Sequence, residues 1–456
     1  MHCEVIGMGR IFVRDKGFYR AAVMLALPVV LQNMITIGVN IMDTVMLGSY
    51  GEIQLSGSSL ANDFINIFHI LCMGMGGGAA VLTAQFWGRR DIASLKRAIT
   101  IMMRICLAAA AVFTAVTLLF PAQIMSVFTS DAQVIEKGRI YFLVSSPTYL
   151  LMGISLTLTL ILRSVRKVMV PLITSIICFF VNIFFNWMFI YGHLGAPEMQ
   201  IAGAALGTLI ARVVETAIIG VYVFRQDKTI GYRIADIFRP CGDLVRTYLK
   251  YSIPVMISDS MLALGNTMVS IIVGHISTEF VAANAIIATI VRLSTVFTQG
   301  LGQASGVMTG NTLGAGDKDK AYRQGITFFA LSLIIGVFAA GVILVLAPFI
   351  IGQYNITQAT REIAFQLMYA VAIMVIFQST QSVLTKGILR GGGDTVFMMF
   401  ADVAFLWIAS VPLGALCGLV LHTEPFIIYV ALKIDWAIKS AICLVRLKSR
   451  KWMKVV

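Results

Sequence analysis

An acidic side chain inside an apolar stretch is the first feature of this sequence that could do chemistry. Asp43 lies in the run from Ala21 to Gly48, and Asn33, Thr36 and Asn40 precede it at spacings that share one helical face. A carboxylate at bilayer depth costs about 2.5–3.5 kcal/mol on insertion scales, so such acids usually face a cavity and bind a proton or cation. Asp43 is therefore the principal candidate site residue, and the alternative is that it lies in the outer interface.

The position of Asp43 near the end of its predicted helix bears on these alternatives. An anion there meets the negative end of the helix dipole, which is unfavourable for a purely structural carboxylate. The same field favours the protonated or cation-bound form of the group. Both effects favour a functional role.

The first half of the chain holds further candidates. Asn182 and Asn186, in VNIFFNWMFIYG, are spaced i, i+4 and offer amide donors and acceptors on one face. Arg212 and Glu215 are spaced to form an ion pair, with proton relay as the alternative. Asp63 is close to the predicted outer surface, where an interfacial position and a functional role are both open.

The second half carries a different set of polar residues. Asp259 begins a stripe with Asn266 and Ser270, and Arg292 shares a helical side with Thr295, Gln299 and Gln303. Asp402 and Asp435 are acids inside apolar runs. Asp435 has Lys439 at i+4 as a predicted partner, whereas Asp402 has no obvious local one.

Composition places these residues in a membrane protein. Of the 456 residues, 58% are hydrophobic and only 12% are charged, against about 25% charged in soluble domains. A spanning helix needs about 20 apolar residues. Twelve such segments are predicted: 22–47, 55–87, 98–120, 140–162, 169–191, 201–224, 251–274, 281–312, 325–351, 363–386, 395–418 and 425–445.

The basic residues are distributed loop by loop, which excludes a nucleic-acid-binding face despite a net charge of +13. They cluster after every second segment, so both termini and the linker after the sixth segment are predicted to be cytoplasmic in the cell membrane. We expect an interfacial N-terminus (1–20), an N-lobe (21–224), a cytoplasmic linker (225–250), a C-lobe (251–446) and a basic cytoplasmic tail (447–456).

A duplication relates the two halves. Gly74 and Gly300 begin similar glycine-rich stretches, and one offset of 226 residues also relates Pro28 to Pro254 and Gly88 to Gly314, among other pairs. Repeats of this length are typical of secondary transporters. The fold class predicted is therefore an all-α integral membrane protein with twelve transmembrane helices in two six-helix lobes related by internal duplication.

Other classes of function find no support in the motifs. The G-x-G-x-x-A run from Gly74 follows no strand and lies in a predicted span, which excludes a dinucleotide fingerprint. No phosphate-binding G-x-x-x-x-G-K-[ST] motif, metal-ligand cluster or nucleophile–base set occurs, so neither an enzyme nor a bound cofactor is predicted.

Several stretches resemble the multidrug and toxic compound extrusion (MATE) family. They are LPVVLQNMITIGVNIMDTVMLG, the glycine-rich helices ending in AQFWGRRD and GNTLGAGD, VNIFFNWMFIYG with IAGAALGTLIAR, and KGILRGGGDT. The resemblance implies export of organic cations or amphiphilic drugs in exchange for Na⁺ or H⁺. It also implies that Asp43 and Asn182 belong to an amino-terminal cation site. Asn186 replaces an acid found in one branch of the family, and Leu262 stands where a seventh-helix glutamate is frequent.

The predicted mechanism is alternating access. Asp43 would bind the coupling ion, and Asn182, Asn186 and Asn40 would supply neutral oxygens, a ligand set that favours Na⁺ over H⁺. Asp259 is a candidate substitute for the missing glutamate, and Asp402, Glu215, Asp63 and Arg292 are secondary candidates. We expect a monomer. The alternatives are a lipid-linked precursor flippase, which would need several arginines for pyrophosphate, and a receptor or scaffold without transport.

Overall fold

The computed structural model describes residues 12–354 and 356–456 of the chain. Most of the predicted interfacial N-terminus (1–20) lies outside them. The described residues fold into helices joined by short turns and loops. The α-helices are α1 Lys16–Gly48, α2 Glu52–Arg89, α3 Ile92–Leu119, α4 Pro121–Phe128, α5 Ala132–Ser145, α6 Thr148–Ser164, α7 Met169–Tyr191, α8 Ile201–Val221, α9 Leu244–Ile276, α10 Thr278–Gly314, α11 Lys318–Gln353, α12 Gln358–Ser382, α13 Thr395–Ala404, α14 Val411–Ala415, α15 Pro425–Leu432 and α16 Ile434–Lys448.

Short π-helical segments interrupt or extend several helices of the second half. Val383–Leu389 continues α12, Phe405–Ser410 joins α13 to α14, and Leu416–Val420 follows α14. A π-turn rotates the side chains that follow it relative to an α-helix, and such turns are frequent at functional sites. The run from Thr395 to Val420 is thus one predicted span with two changes of helical geometry.

The twelve predicted segments all coincide with helical structure, but not all as single straight helices. Within residues 12–354 and 356–456, nine helices are long and apolar enough to cross a membrane, and two bent pairs bring the number to eleven. One pair, α5 and α6, bends by 56° at Pro147, where a proline suits a helix start. The twelfth segment is divided at Lys433 into α15 and α16, of 8 and 15 residues.

The described chain forms two compact units. One comprises Leu31–Thr83 and Asp91–Lys250, here called the N-terminal unit. The other comprises the described residues up to Val30, Ala84–Arg90 and Tyr251–Val456, here called the C-terminal unit. These units differ from the predicted lobes because both ends of the α1–α2 region belong to the C-terminal unit and the linker belongs to the N-terminal unit.

The predicted cytoplasmic linker is an ordered part of the N-terminal unit. Asp227 pairs with Lys167 and accepts backbone hydrogen bonds from Thr229 and Ile230, at 3.2 and 3.0 Å. Burial opposes ionisation of this carboxyl, but those contacts together outweigh it and hold the pKa of Asp227 below its ordinary value. Asp236 pairs with Lys96 in the same linker region.

The predicted basic tail (447–456) packs within the C-terminal unit. Trp452 is fully buried, and the Lys454 backbone N–H donates to the Gly392 carbonyl at 2.9 Å. A Cβ at Gly392 would lie 2.1 Å from the Trp452 ring, so only glycine fits there. Asp394 in the same loop is fully buried and pairs with Arg446 and Lys454, at 2.7 and 2.6 Å. Several of the basic residues predicted to follow the twelfth segment therefore have intramolecular partners.

Candidate functional site

The principal candidate residue, Asp43, contacts the predicted amides within the N-terminal unit. Asn186 Nδ2 donates to Asp43 Oδ1 at 2.6 Å and also lies 3.3 Å from Asn182 Oδ1. Asn182 Nδ2 in turn lies 3.4 Å from Thr208 Oγ1 on α8. The three helices α1, α7 and α8 therefore bring one carboxylate, two amides and one hydroxyl into a continuous polar chain.

Burial distinguishes the members of this chain. Asn186 and Asn182 are 0% and 2% exposed, whereas Asp43 is partly exposed. The charged group therefore lies at the accessible end and the amides lie behind it. An ion could reach the carboxylate while the amides hold its orientation.

A glycine on α8 allows the amide to approach this closely. A Cβ at Gly207 would lie 2.2 Å from Asn186 Oδ1 and 3.0 Å from the Asn186 backbone nitrogen. Helices α7 and α8 thus meet through a small residue, as spanning helices often do. Asn186 Oδ1 is buried without a hydrogen-bond partner in the part of the chain described. A buried carbonyl oxygen left unpaired is costly and is suited to accept a proton or cation contact.

Two other candidates of the first half lie apart from this chain. The Asn40 side chain is exposed, and no hydrogen bond between it and Asp43 is present among the described residues. Its predicted role as a ligand has no geometric support here. Asp63 is also exposed. Arg212 and Glu215 form the predicted ion pair at 2.7 Å, but with 36% and 18% of the side chains accessible, it is only partly buried.

The candidates of the second half also have partners. Asp259 pairs with Arg390 at 3.1 Å, so it is already neutralised by a cation that sequence spacing did not indicate. Arg292 is exposed. Asp402 accepts from Ser258 Oγ at 2.8 Å and lies 3.5 Å from Lys439 Nζ. The expectation that Asp435 pairs with Lys439 is met at 2.8 Å, and Asp402 shares the same lysine.

Sequence reasoning missed Thr208, Gly207 and the contacts of Asp402. IAGAALGTLIAR was quoted for its family resemblance, but spacing within one helix cannot show which residues of another helix it touches. The only local signal was the small-residue content of that stretch, which indicates close helix packing without naming the partner.

Comparison with known proteins now identifies the family. The MatE family model matches residues 28–188 and 254–416, more than half of the chain and one segment from each half of the duplication. This chain belongs to the MatE family. Its two matched segments begin at Pro28 and Pro254, the prolines that the internal repeat relates.

Relatives of this MatE family member are similar along nearly their whole length. It is 24% identical to a "Probable multidrug resistance protein NorM" of Agrobacterium fabrum, covering 87% of this chain and 88% of that protein. It is 27% identical to a protein of the same description from Mesorhizobium japonicum, with 94% and 93% covered. The fold matches a solved outward-facing multidrug resistance MATE family transporter with a TM-score of 0.85 at 16% identity, covering 96% and 99% of the two chains. The chain is thus a multi-pass membrane transporter and not an enzyme.

Proposed function

We propose that this chain is a secondary active exporter that exchanges organic cations or amphiphilic drugs for Na⁺ or H⁺ through Asp43. The observation that carries the proposal is the contact between Asp43 and Asn186, at the accessible end of a buried amide chain. This arrangement can bind a small cation at a carboxylate without a resident metal or cofactor.

The chemistry of the site follows from its charge. Ionised Asp43 accepts the amide hydrogen of Asn186, which orients the carboxylate. A proton or Na⁺ neutralises the group and lowers the cost of excluding water from it. Binding shifts the protein between its outward-open and inward-open states only as far as the ion's affinity for the two states differs.

Exchange also offsets an electrical cost. Moving one charge across the membrane is worth about 2.3 kcal/mol per 100 mV, so exporting a monocation opposes an inside-negative potential. Entry of a coupling cation in the same cycle removes that penalty. The amides beside a single carboxylate favour Na⁺, because neutral oxygens suit a hard cation.

The test is substrate efflux from proteoliposomes loaded with a fluorescent organic cation, under an imposed Na⁺ or H⁺ gradient. We expect the gradient-driven flux of Asp43→Asn to fall to the level of empty liposomes, because the ion-binding charge is lost. Asp63→Asn, which removes an exposed acid of the same unit, is the matched control and should transport like the wild type. Wild-type flux from Asp43→Asn would remove Asp43 from the coupling role.

The second candidate, a lipid-linked precursor flippase, needs unpaired arginines to bind pyrophosphate. Arg212 and Arg390 are both paired with carboxylates in the described chain. The pairing favours the cation exporter. The same proteoliposomes separate the two, because a flippase would move a fluorescent pyrophosphate lipid and leave the organic cation inside.

A further inference from the structure

A second buried charged group lies within the C-terminal unit, and the proposed function does not use it. Asp402, Asp435 and Lys439 are 1%, 2% and 2% exposed. Lys439 Nζ lies 2.8 Å from Asp435 Oδ2 and 3.5 Å from Asp402 Oδ1. One ammonium group therefore faces two carboxyl groups, an arrangement here called the triad.

The charges of the triad do not balance when all three groups are ionised. Two carboxylates and one ammonium leave one negative charge with almost no access to water. An unpaired buried charge is costly, and a group in this position takes up a proton instead of keeping the charge. A bound proton would make the triad neutral.

The surroundings favour the charge on Asp435. Asp435 lies in the first turn of α16, where the positive end of the helix dipole stabilises an anion. Its Oδ1 accepts from Ser410 Oγ at 2.7 Å, and it has the shorter contact with Lys439. The helix break at Lys433 creates this first turn, and the π-helical segment Phe405–Ser410 ends at the serine.

Asp402 has weaker support for a negative charge. It lies near the end of α13, where the helix dipole does not favour an anion, and its contact with Lys439 is the longer one. Its other partner is the Ser258 hydroxyl at 2.8 Å, which can accept a hydrogen bond as readily as donate one.

We propose that the triad is a proton-binding site that holds one exchangeable proton, carried in its predominant form by Asp402 and shared with Asp435 through Lys439. The ligand is a proton because Lys439 already occupies the position between the two carboxyl groups. This site is separate from Asp43 and does not depend on the proposed exchange function.

Other titratable groups surround the triad. Cys443 follows Lys439 by one turn on α16 and is buried, and Tyr429 is buried on α15. Asp259, next to Ser258 on α9, is neutralised by Arg390. Lys433 is partly exposed, with its ammonium 5.2 Å from the centre of the Trp436 ring, and forms no ion pair among the described residues.

Infrared spectroscopy of the full chain in lipid bilayers tests the number of protons directly. A protonated carboxyl group gives a C=O stretch that an ionised one lacks, and the band shifts in D₂O. Relative to the wild type, Asp402→Asn should lose one such band, because the remaining Asp435–Lys439 pair is neutral. Asp435→Asn should also lose one, because Asp402 then ionises to pair with Lys439.

Removing the lysine should have the opposite effect. Lys439→Met should gain one band, since both carboxyl groups must be neutral without the ammonium. The double variant Asp402→Asn with Lys439→Met should return to the wild-type number. Lys433→Met is the control and should leave the number unchanged, because that ammonium lies outside the triad. Absence of a band loss in both Asp402→Asn and Asp435→Asn would show that the wild-type carboxyl groups are both ionised and overturn the proposal.

Thermal unfolding of the same proteins tests where the proton resides. Asp402→Asn replaces a neutral acid by a neutral amide of similar shape and should keep a near-wild-type midpoint. Asp435→Asn should lower the midpoint, because Lys439 keeps only the more distant carboxyl group. The reverse order would overturn the assignment to Asp402. The band pattern should be the same in an Asp43→Asn background, so failure here is distinguishable from failure of the exchange function.

Discussion

Gly88 and Gly314 lie at one helix crossing, in positions that the 226-residue repeat makes equivalent. A Cβ at Gly88 would lie 2.0 Å from the Asn311 carbonyl oxygen, and a Cβ at Gly314 would lie 2.0 Å from the Gln85 carbonyl oxygen. Gln85 and Asn311 are themselves repeat-related. Within the C-terminal unit, the end of α2 therefore meets α10 through a pseudosymmetric contact of backbones.

This crossing predicts a large effect from a single methyl group. Gly88→Ala and Gly314→Ala each place Cβ against backbone that no side-chain rotation can relieve, and overpacking costs about 1–3 kcal/mol. We expect each variant to unfold at a lower temperature in a fluorescence melt of the detergent-solubilised protein. Gly341→Ala, where a Cβ meets nothing within 4 Å, is the control and should melt no lower than the wild type. Equal midpoints for all three variants would contradict the close contact.

The polar chain behind Asp43 predicts a graded response to loss of its amides. Asn186→Ala removes the direct donor to the carboxylate, and hydrogen bonds to charged groups are worth about 1.5–3 kcal/mol. We expect the apparent affinity for the coupling cation to fall about 10- to 100-fold in gradient-driven flux. Asn182→Ala, which contacts Asp43 only through Asn186, should have a smaller effect. Asn40→Ala should be neutral, and a loss there as large as at Asn186 would refute this assignment of ligands.

The linker predicts loss of stability at acidic pH. The pKa of Asp227 lies below its ordinary value, because hydrogen bonds and the charge of Lys167 together outweigh burial. Its stabilising contribution is therefore fully present above the ordinary carboxyl pKa and is lost as pH falls through the lowered value. Hydrogen-exchange protection factors of the amides of Thr229 and Ile230 should drop over that range.

Variants of two linker acids check this interpretation. Asp227→Asn should show low protection already at neutral pH and little further change on acidification. Asp243→Asn, an exposed acid of the same linker, should follow the wild-type profile. An acid-resistant linker in the wild type would show that the Asp227 contacts do not hold it.

The repeat and the hydropathy pattern predicted the helical elements well because both are local or periodic signals. The i, i+4 spacing predicted that Asn182 and Asn186 share a face, and likewise that Asp435 pairs with Lys439. Contacts between helices were not predictable in this way. Nothing in the spacing indicates that Asp259 pairs with Arg390 or that Asp402 shares Lys439, because those partners depend on how separate helices pack.

Helix geometry inside the spans was a second limit. The break at Lys433 and the π-helical turn before Ser410 carry no strong sequence signal, since the apolar composition continues across both. Yet these irregularities place Asp435 at a helix start. Departures from regular helices are common where buried polar groups must be held in membrane proteins.

The packing of the last residues predicts that the C-terminal segment stabilises its unit. Trp452 is fully buried and donates from Nε1 to the Leu447 carbonyl at 3.2 Å. Replacing a buried tryptophan by alanine costs about 3–5 kcal/mol, so Trp452→Ala should lower the unfolding midpoint clearly. Val455→Ala removes an exposed side chain of the same segment and should leave the midpoint unchanged.

Limited proteolysis distinguishes local release from general unfolding. The wild-type segment should resist carboxypeptidase, because the Val456 N–H donates to Gln85 Oε1 at 2.8 Å and Gln85 Nε2 donates to the Lys454 carbonyl at 3.1 Å. Trp452→Ala should lose its last residues at temperatures well below its own unfolding midpoint, since the ring that fills the space beside Gly392 is gone. A segment digested equally fast in the wild type and in Trp452→Ala would show that it behaves as the free basic tail that composition alone predicts.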